Sequence, residues 1–418
     1  MGDNRVGPTD AELQQFVDLR VKLGSAGAAI SKFGRSPGTA KDWARMAKYK
    51  GIVSNGKKID GQVSPKEDAE RNLRRQVAEL RRQLEGQQRE EDTAALIRER
   101  IYGLAAITPA PPAWLSKNGK ASKLRGCPVT IWSDWHYGEV VRKEEVGGVN
   151  EFNAAVAKRR IQKLVDHTID ICFHHMGASE AEYPGIVVAL GGDMISGDIH
   201  EELAVTNDRT PYQAINDLAD LIAAALTQMA DKFGKVYVPC VVGNHGRGTH
   251  KPRHKGRIHT SFEWNLYCTL ERHFRNDKRI SFDIPEQTDC LFSVYGHRIL
   301  LTHGDSLGSR GGDGIIGSIG PIMRGKIKTG HSEAQIGRDF DTLMIGHYHQ
   351  YITLPGLVVN NCLKGYDEYA RLFLRAPYSR PSQALFFIHP RHGVTAHWQV
   401  YLEDLPQTAD TQWLKVLS

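Results

Sequence analysis

The 418-residue sequence lacks several features that mark specialised classes of protein. It has no run of about 18 or more apolar residues, the length that a membrane-spanning helix needs, so we expect no membrane span. Its first residues, MGDNRVGPTD, contain no apolar segment, which argues against a secretory signal peptide. Val6 also occupies the last position of the myristoylation pattern, where serine or threonine is required, so no lipid anchor is expected.

Closely spaced cysteines are absent as well. The six cysteines are scattered through the chain, with no CxxC and no other short pairing. This argues against a zinc ribbon and against a disulfide framework, and it is typical of a cytoplasmic protein with reduced thiols. The net charge of +6 makes the chain only mildly basic, so a polyanionic partner is permitted but not demonstrated.

The length favours two or three domains, and the first of these, residues 1–58, is short, polar and basic. A short helix pattern over residues 28–34 closes at Gly34, and a second helix is predicted to begin at Ser36 and Pro37, an N-cap followed by proline. A short helix, a glycine turn and a second helix indicate a helix-turn-helix. This region resembles the small DNA-binding units of phage and transposase proteins, and a phage protein would work in the cytoplasm of the bacterial host.

The second helix of this unit has two distinct faces. Ala40 and Trp43 are predicted to face inward. The outward face presents Thr39, Lys41 and Arg45, which we predict as DNA contacts. The alternative is a three-helix packing module that has no role in DNA binding.

Residues 59–124 are predicted to form a coiled-coil-like helix and a proline-rich linker. A long charged helix is expected over residues 66–101, with an a/d seam of about two heptads. The residues of this seam are Leu73, Val77, Leu80 and Leu84. The segment either dimerises the protein or lies as a solvated linker helix on its own chain. Residues 109–114 and 116–120 then predict an extended linker that marks the domain boundary.

Residues 125–405 have a different pattern, in which short apolar runs alternate with helix patterns such as 152–175 and 211–233. Alternating strands and helices predict an α/β core with its functional residues at the carboxyl ends of the strands. The last apolar runs indicate a closing β region. Residues 406–418 are assigned to a C-terminal tail.

Polar side chains follow five of the predicted strands directly. These residues are Asp134 and His136, Asp193, Asn244 and His245, His303, and His347 and His349. They are expected to converge on one edge of the sheet. Carboxylate, imidazole and amide groups together suit divalent manganese, iron or zinc. Two such ions about 3.5–4 Å apart, bridged by one carboxylate, would form a clamp for in-line attack on phosphorus.

The order DxH, GD, GNH, HG and GHxH resembles that of the calcineurin-like metallophosphoesterases, and the resemblance covers residues 127–365. It implies a β-sandwich flanked by helices, here preceded by a small all-α helix-turn-helix domain and a long helix. It also implies two divalent metal ions, for which manganese is expected and iron, zinc or nickel are the alternatives. The nucleophile would be a hydroxide between the two ions, attacking in line.

The resemblance also assigns roles to individual residues. The ligands of the first ion would be Asp134, His136 and His349. The ligands of the second ion would be Asn244, His303 and His347. Asp193 would bridge the ions, and His245 would stabilise or protonate the leaving group without binding metal. The residues with catalytic roles are accordingly His245, Asp134 and Asp193.

Two positions depart from the family pattern. Gly246 stands where the family often has an acid, and Ser196 stands in a slot of the second motif that is also often acidic. An acid that orients His245 is therefore missing or comes from elsewhere, with Asp305 and Asp198 as candidates.

A basic segment follows the third motif directly. Residues 247–259 contain five Lys or Arg and three His, with no acid before Glu263. These cations could follow a phosphodiester backbone, and a solvated basic loop is the alternative. The predicted substrate-binding residues are Arg247, Lys251, Arg253, Lys255 and Arg257.

Two classes of function therefore compete. The favoured hypothesis is a metal-dependent nuclease that its N-terminal region delivers to DNA, with RNA as an alternative substrate. The second is a phosphatase or small-nucleotide phosphodiesterase whose N-terminus binds a partner. A third, weaker hypothesis is a DNA-binding regulator that carries a relict enzyme domain.

Salt dependence distinguishes the first two hypotheses. A protein that contacts several phosphates should lose DNA affinity steeply between about 50 and 200 mM salt, because each contact releases counterions. A fluorescence anisotropy titration of labelled DNA at several salt concentrations measures this slope. A small-nucleotide enzyme should barely respond, so a flat dependence would contradict the nuclease hypothesis.

Overall fold

A computed structural model describes most of the chain, and its contacts divide the chain into two compact units, Met1–Gln87 and Gln88–Ser418. The described residues are 7–36, 38–54, 78, 111–116, 126–177, 183–307 and 319–404. Apart from Ala78, the predicted helix over 66–101 lies outside them, as do Pro37 and the tail 406–418. Dimerisation through 66–101 and the domain boundaries near residues 58 and 124 therefore stay predictions.

The described part of the first unit is built from three helices, α1 (Asp10–Leu23), α2 (Ala26–Ser31) and α3 (Thr39–Tyr49). Trp43 of α3 is buried between two aromatic rings, with its ring centroid 5.7 Å from that of Phe16 and 5.1 Å from that of Phe33. The inward orientation predicted for Ala40 and Trp43 is thus confirmed. Aromatic contact of this kind stabilises a small core that has few other residues to bury.

The start predicted for the second helix is wrong by two residues. Gly38, rather than Ser36, is the N-cap of α3, and it makes no side-chain capping hydrogen bond. The Thr39 N–H donates to the Ser36 carbonyl at 3.0 Å, so that the chain makes a turn between these residues before the helix begins.

The second unit is rich in strands. In chain order these are β1 (Cys127–Trp132), β2 (Ile186–Leu190), β3 (Val236–Pro239), β4 (Ile280–Asp283), β5 (Cys290–Val294), β6 (His297–Leu301), β7 (Thr342–Ile345), β8 (Ile352–Leu354), β9 (Leu357–Val359), β10 (Ser382–His389) and β11 (Gly393–Tyr401). The α-helices described in this unit are α4 (Ala113–Ser116), α5 (Ala154–Asp170), α6 (Glu201–Thr206), α7 (Pro211–Phe233), α8 (Phe262–His273) and α9 (Ile319–Gln335). No helix of the described residues is long and apolar enough to cross a membrane.

These strands form two mixed sheets. The first has the order β11-β10-β1-β2-β3-β4, with β1 to β4 parallel and β10 antiparallel to both of its neighbours. The second has the order β5-β6-β7-β9-β8, with β6, β7 and β9 parallel and antiparallel strands at both edges. The predicted α/β class is confirmed.

Alternation along the strands produces three apolar layers. Val129 and Ile131 of β1 share a core with residues of the second sheet such as Phe292, so one face of each sheet is buried against the other. Side chains on the other face of the first sheet, including that of Leu190, pack against α5, α7 and α8. On the far side, Leu343 and its neighbours pack against α9. Because both faces of the central strands are buried, their sequences are almost continuously apolar.

The expectation of an extended linker is wrong where the structure describes it. Residues 113–116 form a helical turn, α4, and Leu115 is fully buried in the core between the sheets. The Leu115 carbonyl accepts a hydrogen bond from the Tyr295 N–H at 2.9 Å. The proline-rich composition predicts an extended chain, but burial of the apolar side chain and this hydrogen bond hold the segment against the sheets of its own unit.

Candidate metal centre

The polar segments predicted to carry the chemistry lie at the carboxyl ends of five parallel strands. Asp134 and Asp193 come shortly after β1 and β2, and Asn244 follows β3. In the second sheet, His303 follows β6 and His347 follows β7. Since parallel strands end at the same edge, both sheets deliver their ligand residues to one place.

One group of ligand atoms is formed by Asp134, His136 and His349, which could together hold a metal ion. The Nε2 atoms of His136 and His349 are 3.1 Å apart. The Nε2 atom of His349 lies 3.4 Å from Oδ1 of Asp134. These are the three residues that the sequence assigns to the first ion.

A second group could also hold an ion and is formed by Asp193, His303 and His347. The Nε2 atom of His303 lies 3.0 Å from Oδ2 of Asp193 and 3.2 Å from Oδ1 of Asn244. Oδ2 of Asp193 is also 4.0 Å from Nε2 of His136 in the first group. All seven predicted ligands therefore meet in one cluster, with Asp193 between its two halves.

The orientation of His303 fits a cation in this cluster. Its Nδ1 lies 2.9 Å from the Gly191 carbonyl, which can only accept, so Nδ1 carries the proton. With a cation bound, Nε2 would carry no proton, and its lone pair would point at the ion together with oxygens of Asp193 and Asn244. A divalent cation satisfies three converging donors of this kind, and a backbone carbonyl on the other ring nitrogen is the usual support of a histidine ligand.

Protonation in the cluster is compatible with metal binding. Burial lowers the pKa of His136 below its ordinary value and that of His347 to about 4, so both rings are neutral at neutral pH. Burial also opposes ionisation of Asp193, but the neighbouring His303 and His245 hold the pKa of this carboxyl well below its usual range. The ionised Asp193 in turn raises the pKa of His303 to about 10, against the effect of burial. This carboxylate requires a positive charge beside it, which a protonated His303 or a divalent cation supplies.

The backbone at the centre is held in an uncommon conformation. Among the described residues, the non-glycine residues with positive φ include five of the predicted ligands, namely Asp134, His136, Asp193, His347 and His349. Such conformations persist only where the surroundings enforce them, and they cluster at functional sites. Backbone hydrogen bonds from Asp134 to Gly192 and from His136 to Asp193, both of 3.0 Å, enforce them here.

Glu263 of α8 is a supporting residue that the sequence pattern does not reveal. It is fully buried, and its carboxylate accepts the N–H groups of Met194 and Gly243, each at 2.6 Å. It thereby ties the loop that carries Asp193 to the loop that carries Asn244. Burial, together with the charge of Asp193, raises the pKa of Glu263 to about 7.

A second supporting group lies behind His136. The buried Lys364 ammonium is paired with Glu139 at 2.8 Å and with Asp367 at 2.5 Å. The other carboxylate oxygen of Glu139 lies 3.5 Å from Nδ1 of His136. A buried carboxylate thus faces the ring nitrogen that is not directed at His349, where it can orient the ring.

His245 is oriented by a backbone carbonyl. Its Nδ1 lies 2.8 Å from the Ser196 carbonyl, so the imidazole donates there. Of the two acids that were candidates for orienting His245, Asp305 pairs with Arg257 at 2.9 Å, and Asp198 is exposed. His245 also forms a third group of possible ligands, with His136 and Asp193, so its predicted role outside the metal shell needs a direct test.

The five basic residues predicted to bind substrate fall into two sets. Arg247 donates to three carbonyls of its own loop, those of Asn244, Thr249 and His250. Arg257 is paired with Asp305 and so joins the segment to the loop that follows His303. The exposed members of the set are Lys251, Arg253 and Lys255.

The predicted DNA contacts lie in the first unit, on α3. Lys41 and Arg45 are exposed there, as the pattern predicts. Arg45 is paired with Asp42 at 3.0 Å. Thr39 is half-buried, with its hydroxyl 3.3 Å from that of Ser36.

No protein-family model matches the chain, and no curated protein matches it at a significant level. The chemistry of the centre itself therefore carries the functional argument.

Gly246 offers a test of the support that Glu263 gives. A Cβ atom at residue 246 would lie 2.5 Å from Cγ of Glu263, so an alanine must displace this side chain. We expect Gly246→Ala to lower metal affinity about 10–100-fold, as the loss of a supporting partner does. Calorimetric titration with Mn²⁺ measures it.

The control for this variant is Gly320→Ala. A Cβ atom there meets only the end of the flexible Arg324 side chain, at 3.5 Å. Metal affinity that stays unchanged in Gly246→Ala, or that falls equally in both variants, would contradict the role given to Glu263.

Proposed function

We propose that this protein is a dinuclear metal-dependent phosphodiesterase of the calcineurin-like type and that its substrate is DNA. The observation that carries the proposal is the meeting of seven buried or half-buried ligands, which come from five strand ends in the order that the resemblance requires. Two sheets with helices on their outer faces also agree with the β-sandwich that the resemblance implies.

The ligand sets follow from the two groups of side chains. Asp134, His136 and His349 would hold one ion. Asn244, His303 and His347 would hold the other, with the Asp193 carboxylate shared between them. Imidazole, carboxylate and amide ligands suit manganese, with iron, zinc or nickel as alternatives. Bound divalent ions would supply positive charge beside the phosphate and acidify a water molecule at neutral pH.

The protein holds the two carboxylates of the centre in fixed positions before the substrate arrives. Asp193 is held through Oδ1 by the His245 N–H at 2.7 Å, and Asp134 is held through Oδ1 by the His347 N–H at 2.9 Å. Because Asp134 and Asp193 are almost fully buried, they cannot turn toward solvent. Groups that are fixed in this way need no reorganisation during the reaction, which is the usual source of electrostatic catalysis.

His245 is the residue placed to exchange a proton. Its Nδ1 proton is committed to the Ser196 carbonyl, which leaves Nε2 for the substrate. In the protonated ring, Nε2 would donate to the leaving oxygen as the bond to phosphorus breaks. Burial lowers the pKa of His245, which makes it a stronger acid once it is protonated beside the substrate.

DNA is favoured as the substrate by cations in both units. Lys251, Arg253 and Lys255 are exposed on the segment that follows Asn244, and Lys41 is exposed on α3. The second candidate is a phosphatase or small-nucleotide phosphodiesterase. Arg247 bonds to a backbone carbonyl and Arg257 pairs with Asp305, so fewer cations are available to a polyanion, and this favours the second candidate.

The proposal is tested by hydrolysis of end-labelled single- and double-stranded DNA with Mn²⁺, beside bis-(p-nitrophenyl) phosphate as a small diester. Asp134→Ala is the control for contaminating nuclease. Cleavage of DNA that this variant abolishes supports the nuclease, and the product ladder separates endonuclease from exonuclease action. Hydrolysis of the small ester alone would favour the second candidate.

The role of His245 has its own test. We expect His245→Ala to retain its metal and to lose turnover by about 10²-fold or more, the scale of one general acid or charge-stabilising donor. Metal analysis and steady-state kinetics on the small ester measure both quantities. Unchanged turnover would contradict the role in proton transfer, and loss of metal would place His245 among the ligands.

A further inference from the structure

A short turn near the metal centre exposes aromatic side chains that the proposed function does not use. The segment Tyr369–Phe373 is one π-helical turn. Its two rings are stacked, with centroids 5.1 Å apart and planes inclined by 17°, yet Tyr369 is 59% exposed and Phe373 is 74% exposed. We call this stacked pair the aromatic platform.

The platform belongs to a wider exposed apolar segment. Leu372 and Leu374 are 60% and 56% exposed, and Tyr378 is also exposed. Single exposed apolar residues need no explanation, but several large ones on one short segment mark a binding surface.

The structure ties this turn to the metal centre. Asp367 pairs with the buried Lys364, which pairs with Glu139, whose carboxylate faces His136. Tyr369 is two residues from Asp367, and two residues of chain span at most about 7 Å. Tyr369, where the platform begins, therefore lies within about 7 Å along the chain of Asp367, one of the residues that support the first group of ligands.

The turn is held in place from both sides. Oδ1 of Asp367 accepts the Ala370 N–H at 2.7 Å, and the Arg371 guanidinium donates to the Glu145 carbonyl at 2.8 Å. The Leu374 N–H closes the turn on the Tyr369 carbonyl at 3.0 Å. Rings on an anchored turn can receive a planar partner without first becoming ordered.

The charge beside the rings selects the kind of planar partner. Arg371 lies within the turn, and the exposed Arg375 follows it. Of the two acids before the turn, Asp367 is paired with Lys364, and Glu368 accepts a backbone N–H at 3.1 Å. Exposed aromatic rings beside cations are the combination that binds single-stranded nucleic acid, in which bases stack on the rings and cations attract the backbone. In a duplex the base faces are already stacked on one another.

We propose that Tyr369 and Phe373 stack an unpaired base of a single-stranded nucleic acid whose backbone runs into the metal centre. The inference rests on the proposed function for its substrate and deepens it by selecting single strands. The exposed cations Lys251, Arg253 and Lys255 follow Asn244 in the sequence and would attract the backbone of the same strand.

The test uses the full chain with Mn²⁺ and a single-stranded phosphorothioate oligonucleotide that contains 2-aminopurine, whose fluorescence is quenched on stacking. Replacing both rings, Tyr369→Ala with Phe373→Ala, should abolish the quenching and raise Kd about tenfold, the effect of losing one base stack. Leu372→Ala is the matched control, since it removes an equally exposed apolar side chain from the same turn without removing a ring. Thermal unfolding of each variant confirms that it is folded.

An abasic oligonucleotide of the same length separates stacking from backbone binding. The wild type and the double variant should bind it equally, because it offers no base to stack. The proposal is overturned if the double variant binds the normal strand as the wild type does. It is also overturned if the abasic strand shows the same difference or if Leu372→Ala weakens binding as much, since the surface would then serve a general apolar partner or a second copy of the chain.

Failure of the platform and failure of the proposed function give different results. If the wild type cleaves DNA and the platform variant binds normally, the binding role of the platform is contradicted, but the proposed nuclease is not. Quenching and tight binding without any cleavage of DNA would support the platform and contradict the proposed nuclease. A wild type that binds no single strand would overturn the platform.

Discussion

A buried carboxylate after β2 constrains the candidate metal centre of the second unit. Asp193 is almost fully buried and needs positive charge and hydrogen-bond donors around it, because an isolated ion in the interior is very costly. One of its oxygens accepts the His245 N–H, and the other faces His303. Gly243 has no side chain because a Cβ atom there would collide with Asp193. Three loops are thus arranged around one charge.

The strain at the ligands and the rigidity of the fold belong together. Five ligands have positive φ, a conformation that costs of order 1–3 kcal/mol each and persists only when the surroundings determine it. The central strands, buried on both faces, hold the loops in this conformation, and Glu263 fastens two of the loops to each other. The site is therefore preorganised by elements that contain none of the side chains that could hold a metal ion.

The sequence predicts which side chains meet at the candidate centre better than it predicts the residues that support them. Ligands such as Asp134 and His303 follow strands directly, and parallel topology brings them together without further information. Glu263 and Lys364 act through tertiary contacts from distant segments, and no local pattern marks them. Tertiary contact also explains one error, because Leu115 is buried where proline-rich composition predicts an extended linker.

If Asp193 joins two metal ions, the number of ions that the protein binds depends on this one carboxylate. Inductively coupled plasma mass spectrometry would be applied to the wild type, to Asp193→Ala and to Asp198→Ala, which removes an exposed aspartate from the same loop. We expect two equivalents per chain in the wild type and in Asp198→Ala, and fewer in Asp193→Ala. Two equivalents retained by Asp193→Ala would contradict this expectation.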